Sequence, residues 1–106
     1  MALTSENYKV IITDSAQEDI DQYIDTIMYT YDAPRTAKRH YDDLYAEFRK
    51  IERNPMINSV RYNLSLMKYG FNVRRANYKK MAILYTVNND IVYIHRVVAG
   101  SMITGV

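Results

Sequence analysis

The spacing of apolar residues changes once along this chain of 106 residues, from a helical period to an alternating one. Between residues 15 and 51, apolar side chains recur every three or four positions, which is typical of amphipathic helices. From residue 67 onward they alternate with polar side chains, which is typical of strands that bury one face. A chain with this order of patterns is expected to fold as helices packed on one face of a sheet.

The first predicted helix follows a short predicted strand. The β-branched run Tyr8–Thr13 predicts that strand. Ser15 and Glu18 have the spacing of a capping box, in which the two side chains accept hydrogen bonds from free backbone N–H groups at a helix start. The apolar stripe that follows predicts a first helix over about 15–31.

A second helix is predicted between the two prolines of the chain. Asp32 is placed to cap its start, and Pro34 is tolerated in a first helical turn. Asn54 ends it, because a residue that precedes a proline is disfavoured in helical geometry. Its apolar stripe consists of Ala37, Tyr41, Leu44, Tyr45, Phe48 and Ile51.

Three strands are predicted in the remainder, over about Met67–Ala76, Met81–Val87 and Ile91–Val98. The Asn-Asn-Asp turn at 88–90 tolerates positive φ, so it predicts an antiparallel hairpin between the last two strands. The expected fold class is α+β with the order β-α-α-β-β-β, in which a two-helix hairpin covers one face of a four-stranded, mainly antiparallel sheet. The length allows one core, which predicts a single domain over 1–106.

The other face of this sheet is expected to be open and to carry the functional surface. Alternation along the third predicted strand directs one set of side chains toward the helices, namely Met81, Ile83, Tyr85 and Val87. It directs the other set toward the open face, namely Ala82, Leu84 and Thr86.

Composition excludes several classes of site. The chain has no cysteine, which excludes disulfides, thiol catalysis and cysteine-type zinc sites, and with only His40 and His95 available we expect neither a metal nor another cofactor. No stretch is apolar and long enough to span a bilayer, and the first residues lack the basic-then-apolar pattern of a signal peptide. We therefore expect a cytoplasmic protein without membrane contact.

Charge is divided unevenly between the two parts of the chain. Residues 1–54 carry 7 Lys/Arg and 11 Asp/Glu, whereas residues 55–106 carry 7 Lys/Arg and the single acidic residue Asp90. A basic segment of this kind indicates a surface for phosphates or for an acidic partner. The alternative is a solvated basic face that has no ligand.

Several short segments match one known family in their order and spacing. They are Tyr-Lys-Val-Ile-Ile-Thr-Asp-Ser-Ala at 8–16, Asp19-Ile20, Pro34 with Ala37, Asn54-Pro55, Ala-Ile-Leu-Tyr-Thr-Val at 82–87, Ile-Val-Tyr-Ile at 91–94 and Arg-Val-Val-Ala-Gly at 96–100. Together they resemble the RelE/ParE toxin superfamily, which includes plasmid stabilisation proteins, over roughly Tyr8 to Met102.

The resemblance implies a bacterial toxin of a type II toxin–antitoxin module, which inhibits growth until a cognate antitoxin neutralises it. Two mechanisms are implied: metal-independent messenger RNA cleavage on the ribosome, as in mRNA interferases, or inhibition of DNA gyrase. An acidic antitoxin that covers the basic half of the toxin would be the simplest means of neutralisation. The expected assembly is a toxin homodimer or a toxin–antitoxin heterotetramer. The alternatives are a non-toxic antitoxin-binding domain and a plain nucleic-acid-binding module.

For RNA cleavage, the resemblance implies Arg75 and Lys80 as phosphate contacts and Tyr78 or His95 as proton-transfer groups. RNA-cleaving relatives carry polar side chains where this chain has Ala82, Ala99 and Met102. For nucleic-acid or partner binding without catalysis, the candidate residues are Arg74, Arg75, Lys79, Lys80 and Arg96.

The two histidines are expected to differ in their surroundings. By alternation His95 shares a face with Tyr93 and Val97, which predicts a buried, hydrogen-bonded histidine on the helix-covered side of the sheet. His40 is expected on the surface of the second helix. Alternation also directs Arg74 and Arg75 toward opposite faces, so only one of them can join a cluster on the open face.

Overall fold

The structure, a computed structural model, describes residues 8–103. Within this range the main elements are β1 (Lys9–Ile12), α1 (Asp14–Asp25), α2 (Pro34–Arg53), β2 (Arg74–Tyr78), β3 (Met81–Asn88) and β4 (Ile91–Ala99). The strands lie in the order β1-β4-β3-β2, with β1 parallel to β4 and the other two pairs antiparallel. The predicted α+β class and element order are confirmed, and the sheet is mixed.

Both helices pack on one face of this sheet and form the main core with it. The buried side chains of this core are Ala16, Ile20, Leu44, Phe48, Ile51, Ala76, Tyr78, Ile83, Tyr85, Val92, Ile94 and Val97. Each large apolar side chain that is fully buried here stabilises the fold by about 1.5–3 kcal/mol. The inward set predicted for β3 is confirmed, since Met81 and Val87 also pack against this core.

Helix α1 begins one residue earlier than the sequence pattern indicates. Thr13 is its N-cap, and the Thr13 side chain accepts a hydrogen bond from the backbone N–H of Ala16 at 3.2 Å. The capping box predicted for Ser15 and Glu18 is therefore wrong, because Ser15 already lies inside the first turn. The α-helix ends at Asp25, and the predicted remainder to residue 31 is a wider π-helical turn at Thr26–Thr30.

Helix α2 begins at Pro34 and ends at Arg53, close to the predicted bounds. The expected cap at Asp32 is wrong, because Asp32 has a φ of 50° and Ala33 occupies the cap position without a side-chain hydrogen bond. Among residues 8–103, no helix is both long and apolar enough to cross a membrane.

Strand β2 is shorter than predicted and lies further along the chain. In place of a strand over Met67–Ala76, a 3-10 helix spans Leu64–Tyr69, and the strand begins only at Arg74. Gly70 and Asn72 have φ values of 119° and 61°, which extended strands do not accommodate. Periodicity missed this change because a 3-10 helix of 6 residues completes only two turns of three residues, which is too short to establish a period of its own.

The second face of the sheet is covered rather than open. Leu84 is 1% exposed and packs with Leu66 and Val73, which come from the connection between α2 and β2. Ala82 and Thr86, the other side chains predicted on an open face, are also buried. The expectation of an open face is therefore wrong, because the connection folds back over the central strands.

A β-bulge interrupts strict alternation in β4. Leu84 pairs with Arg96 and Tyr85 pairs with Ile94, so His95 is an extra residue between two paired positions. Ile94 and Val97 both enter the helix-side core as a result, while His95 lies on the other face with Thr86 and Tyr93. The predicted placement of His95 beside Val97 on the helix-covered side is wrong for this reason.

Candidate active site and partner-binding surface

The Arg75 guanidinium and the backbone of Lys80 lie at the same turn of the structure. The Arg75 Nε donates a hydrogen bond to Asn77 Oδ1 at 2.9 Å, and the Lys80 carbonyl accepts the Gly100 N–H at 2.7 Å. A Cβ built on Gly100 would lie 2.7 Å from Arg75 Nη2 and 3.2 Å from the Lys80 carbonyl oxygen. Because Gly100 has no side chain, the Arg75 guanidinium can pack against this turn.

Arg96 faces the same side of the sheet as Arg75, but its charge is already paired. Arg75, Leu84 and Arg96 are aligned across three strands by the strand register. The Arg96 Nε and Nη2 atoms donate to the two carboxylate oxygens of Asp19 at 2.7 and 2.9 Å. These bonds raise the pKa of Arg96 further, so the guanidinium stays charged and bound within the fold.

Asp19 also completes the edge of β4. Strand β1 ends at Ile12 opposite Ile94, and beyond that point β4 has no strand neighbour on this edge among residues 8–103. The Asp19 Oδ2 atom accepts the Val97 backbone N–H at 3.0 Å, which supplies the bond that a longer β1 would have made. Sequence reasoning noted Asp19 as part of the family pattern without predicting this role.

Arg74 holds the connection that follows α2. Its Nη1 donates to the Asn58 carbonyl oxygen at 2.5 Å. Next to it, the Tyr85 hydroxyl donates to the Pro55 carbonyl oxygen at 2.7 Å and accepts from Asn58 Nδ2 at 3.2 Å. Arg74 therefore points away from Arg75, as alternation predicts, and contributes to folding rather than to the Arg75 turn.

Tyr78 lies in the helix-side core, away from the face that carries Arg75. It is 7% exposed, and its ring meets that of His40 edge to face at a centroid distance of 6.1 Å. Burial raises the pKa of Tyr78 to about 12, and within residues 8–103 its hydroxyl has no hydrogen-bond partner. Lys79 is exposed at the turn, with its ammonium 5.7 Å from the centre of the Tyr78 ring.

His40 is also less exposed than predicted. Its Nδ1 atom lies 2.6 Å from the Tyr23 hydroxyl, which links α2 to α1. Burial lowers the pKa of His40, and the nearby charges of Lys79 and Arg39 lower it further. No sequence pattern indicates this pair, because Tyr23 and His40 are brought together only by the packing of the helices.

His95 occupies a hollow of its own on the covered face. Its Nε2 lies 2.8 Å from Thr86 Oγ1, and its ring stacks with those of Tyr69 and Tyr93 at centroid distances of 5.7 and 6.2 Å. Burial lowers the pKa of His95, so the imidazole is neutral near pH 7. The hollow has a volume of about 500 Å³, and no lysine or arginine of the described chain lines it.

The four residues proposed for RNA cleavage are therefore not assembled around one point. The Arg75 guanidinium and the Lys80 backbone lie at the Gly100 turn, Tyr78 lies under the helices, and His95 lies beside Tyr69. Among residues 8–103, no group of three or more histidine and acidic side chains is placed to hold a metal ion.

Comparison with known proteins identifies the family. The sequence pattern of the ParE toxin of the type II toxin–antitoxin system parDE matches residues 10–104. The chain belongs to the ParE toxin family. A solved structure titled as the chromosomal ParDE TA system from P. aeruginosa has the same fold, with a TM-score of 0.70 at 15% sequence identity. The match covers 87% of this ParE-family chain and 95% of the other, and no curated protein matches it in sequence.

Proposed function

We propose that this ParE-family toxin inhibits growth by binding DNA gyrase, without cleaving RNA, and that a cognate antitoxin neutralises it. The observation that carries the proposal is the separation of Tyr78 and His95 from the turn that holds Arg75 and Lys80. Gyrase and the antitoxin are both cytoplasmic in bacteria, so the proposal places the toxin there.

Metal-independent RNA cleavage needs a base, a cation and an acid around one phosphate. Tyr78 does not supply the acid, because its buried hydroxyl lies in the core between sheet and helices. His95 is neutral near pH 7, and no basic side chain of the described residues lines its hollow. The apolar side chains of Ala82 and Met102 add no polar group at the positions where RNA-cleaving relatives have one.

A toxin that works by binding needs a charged surface but no proton-transfer group. Arg75 at the Gly100 turn and the exposed Lys79 and Lys80 provide such a surface at one end of β2 and β3. Charges at the rim of an interface guide association and fix orientation. We therefore assign these three residues to contact with the target, whereas Arg74 and Arg96 serve the fold.

The test replaces both Arg75 and Lys80 by glutamate and measures inhibition of DNA supercoiling by purified gyrase. Reversal of two charges in the contact is expected to raise the inhibitory concentration at least tenfold, which corresponds to about 1.4 kcal/mol. The matched control is Arg49→Glu, an exposed charge reversal on α2, which should inhibit like the unmodified toxin. Equal inhibition by both variants would contradict the assignment, and no inhibition by the unmodified toxin would contradict the proposed target.

A further inference from the structure

Exposed apolar side chains are concentrated in the connection between α2 and β2. Within the described part of the chain, Tyr62 is 90% exposed, Phe71 82% and Met67 52%. Ile57 and Leu64 in the same connection are exposed as well. Single exposed apolar residues are ordinary, but a contiguous group of them marks an interaction site.

Three of these side chains surround one hollow, which we call the Phe71 hollow. Its principal lining residues are Arg61, Tyr62, Leu66, Met67, Phe71 and Val73. Leu66 and Val73 are each 2% exposed, so the buried side of the hollow is apolar. Its volume is about 160 Å³. An apolar cavity of about 150 Å³ holds one benzene molecule, so the Phe71 hollow accommodates one aromatic or long aliphatic side chain.

Backbone hydrogen bonds hold the walls of the Phe71 hollow in place. The Arg61 N–H donates to the Val73 carbonyl at 2.7 Å, and the Gly70 N–H donates to the Met67 carbonyl at 3.0 Å. The Leu66 N–H also donates to the Asn63 carbonyl at 3.0 Å. A hollow formed by the folded backbone is available before a partner arrives, which lowers the entropic cost of binding.

The electrostatics of the Phe71 hollow favour an anionic partner. The Arg61 Nε atom is buried and has no hydrogen-bond partner within residues 8–103. The sequence contains no aspartate or glutamate between Glu52 and Asp90. Arg61 also lines the hollow, so its positive charge would attract a carboxylate that a partner brings to the rim.

We propose that the Phe71 hollow is the docking point for the antitoxin, and that the bound segment carries a large apolar side chain next to a carboxylate. This inference rests on the proposed function, which supplies the antitoxin as partner. A second copy of this chain fits less well, because two basic surfaces repel each other. Nucleic acid also fits less well, because the rim at Tyr62, Met67 and Phe71 is apolar and the hollow's lining has Arg61 as its single cation among the described residues, whereas a phosphate backbone is bound by several cations.

The experiment measures the dissociation constant of the toxin with the protein encoded next to its gene, by calorimetry on the two purified proteins. The test variant carries Met67→Ser and Phe71→Ser. Loss of two apolar contacts at the centre of the interface is expected to weaken binding at least 30-fold. The matched control carries Tyr29→Ser and Tyr31→Ser, two exposed aromatic residues at the end of the helical region, and is expected to bind within twofold of the unmodified toxin.

A second variant tests the charge separately. Arg61→Gln removes the charge and leaves a shorter, neutral polar side chain, so it should weaken binding and reduce the dependence of binding on salt. In cells, the Met67/Phe71 variant should remain toxic when the antitoxin is co-expressed, and that toxicity also reports that the variant is folded and reaches its target.

Equal affinities of the Met67/Phe71 variant and the unmodified toxin would overturn the inference. Weakened binding by the Tyr29/Tyr31 control alone would also overturn the inference, because that result would place the antitoxin on the helices. Self-association of the unmodified toxin that the Met67/Phe71 variant abolishes would overturn it in favour of a second copy. If the unmodified toxin fails to bind the neighbouring protein at all, the antitoxin part of the proposed function fails together with the inference.

Discussion

At the scale of single residues, several candidate functional side chains serve the fold. The Arg96 guanidinium is bound by Asp19, and the Arg74 guanidinium is bound by the Asn58 carbonyl. The sequence alone shows that residues 55–106 are basic, but it does not show which group each cation binds. Asp19 and Arg96 are 77 positions apart, and only the packing of α1 against the end of β4 brings them together.

His95 gives a prediction at this scale about the pH dependence of stability. Burial lowers the pKa of His95 in the folded chain, whereas in the unfolded chain it is about 6.5. The unfolded chain therefore binds the proton more readily, and the free energy of unfolding should fall as the pH drops below about 6.5. His95→Gln should make this fall shallower, as measured by urea unfolding between pH 7.5 and 5.

The effect of His95 can be separated from that of His40, whose pKa is lowered as well. His40→Gln should remove its own part of the pH dependence, and the doubly substituted chain should be the least dependent on pH over this interval. A pH profile of His95→Gln that superimposes on that of the unmodified chain would contradict the partly buried, neutral state of His95.

At the scale of elements, the connection between α2 and β2 departs most from expectation. Both helices and the hairpin of β3 and β4 follow from periodicity and turn residues, because their patterns are local. The bounds of β2 do not follow, because Gly70 and Asn72 adopt positive φ between the 3-10 helix and the strand. The Phe71 hollow was missed for the same reason, since Met67 and Phe71 were assigned to the strand.

Gly70 gives a prediction at the scale of this element. Its φ of 119° is a conformation that residues with a side chain rarely adopt, while the nearest side-chain atom to a Cβ built there is Thr86 Cγ2 at 3.9 Å. Gly70→Ala should therefore destabilise the chain through backbone strain and without a clash, by about 1–3 kcal/mol. Urea unfolding measures this, with Ser59→Ala in the same connection as an exposed control. Equal stability of the two variants would show that Gly70 is not strained.

At the scale of the whole molecule, the two charged halves of the sequence become two regions of one fold. The acidic half supplies α1 and α2 on one face of the sheet, and the basic half supplies β2, β3, β4 and the connection that covers the other face. The family pattern extends over both halves, which is why the fold was predictable from short segments. The separation of the catalytic candidates was not predictable from the sequence. It depends on the β-bulge in β4 and on the connection between α2 and β2 that covers the second face of the sheet.

The most direct test of the central claim is to induce the toxin alone in bacteria and follow thymidine and methionine incorporation together. Messenger RNA 5′ ends would be mapped from the same cultures. If the toxin acts by binding gyrase, thymidine incorporation should stop first, and the coding regions of messenger RNA should remain uncut. A rapid stop in methionine incorporation with new 5′ ends inside coding regions would contradict the account, because it would require a cleavage site that the separation of Tyr78, His95 and Arg75 argues against.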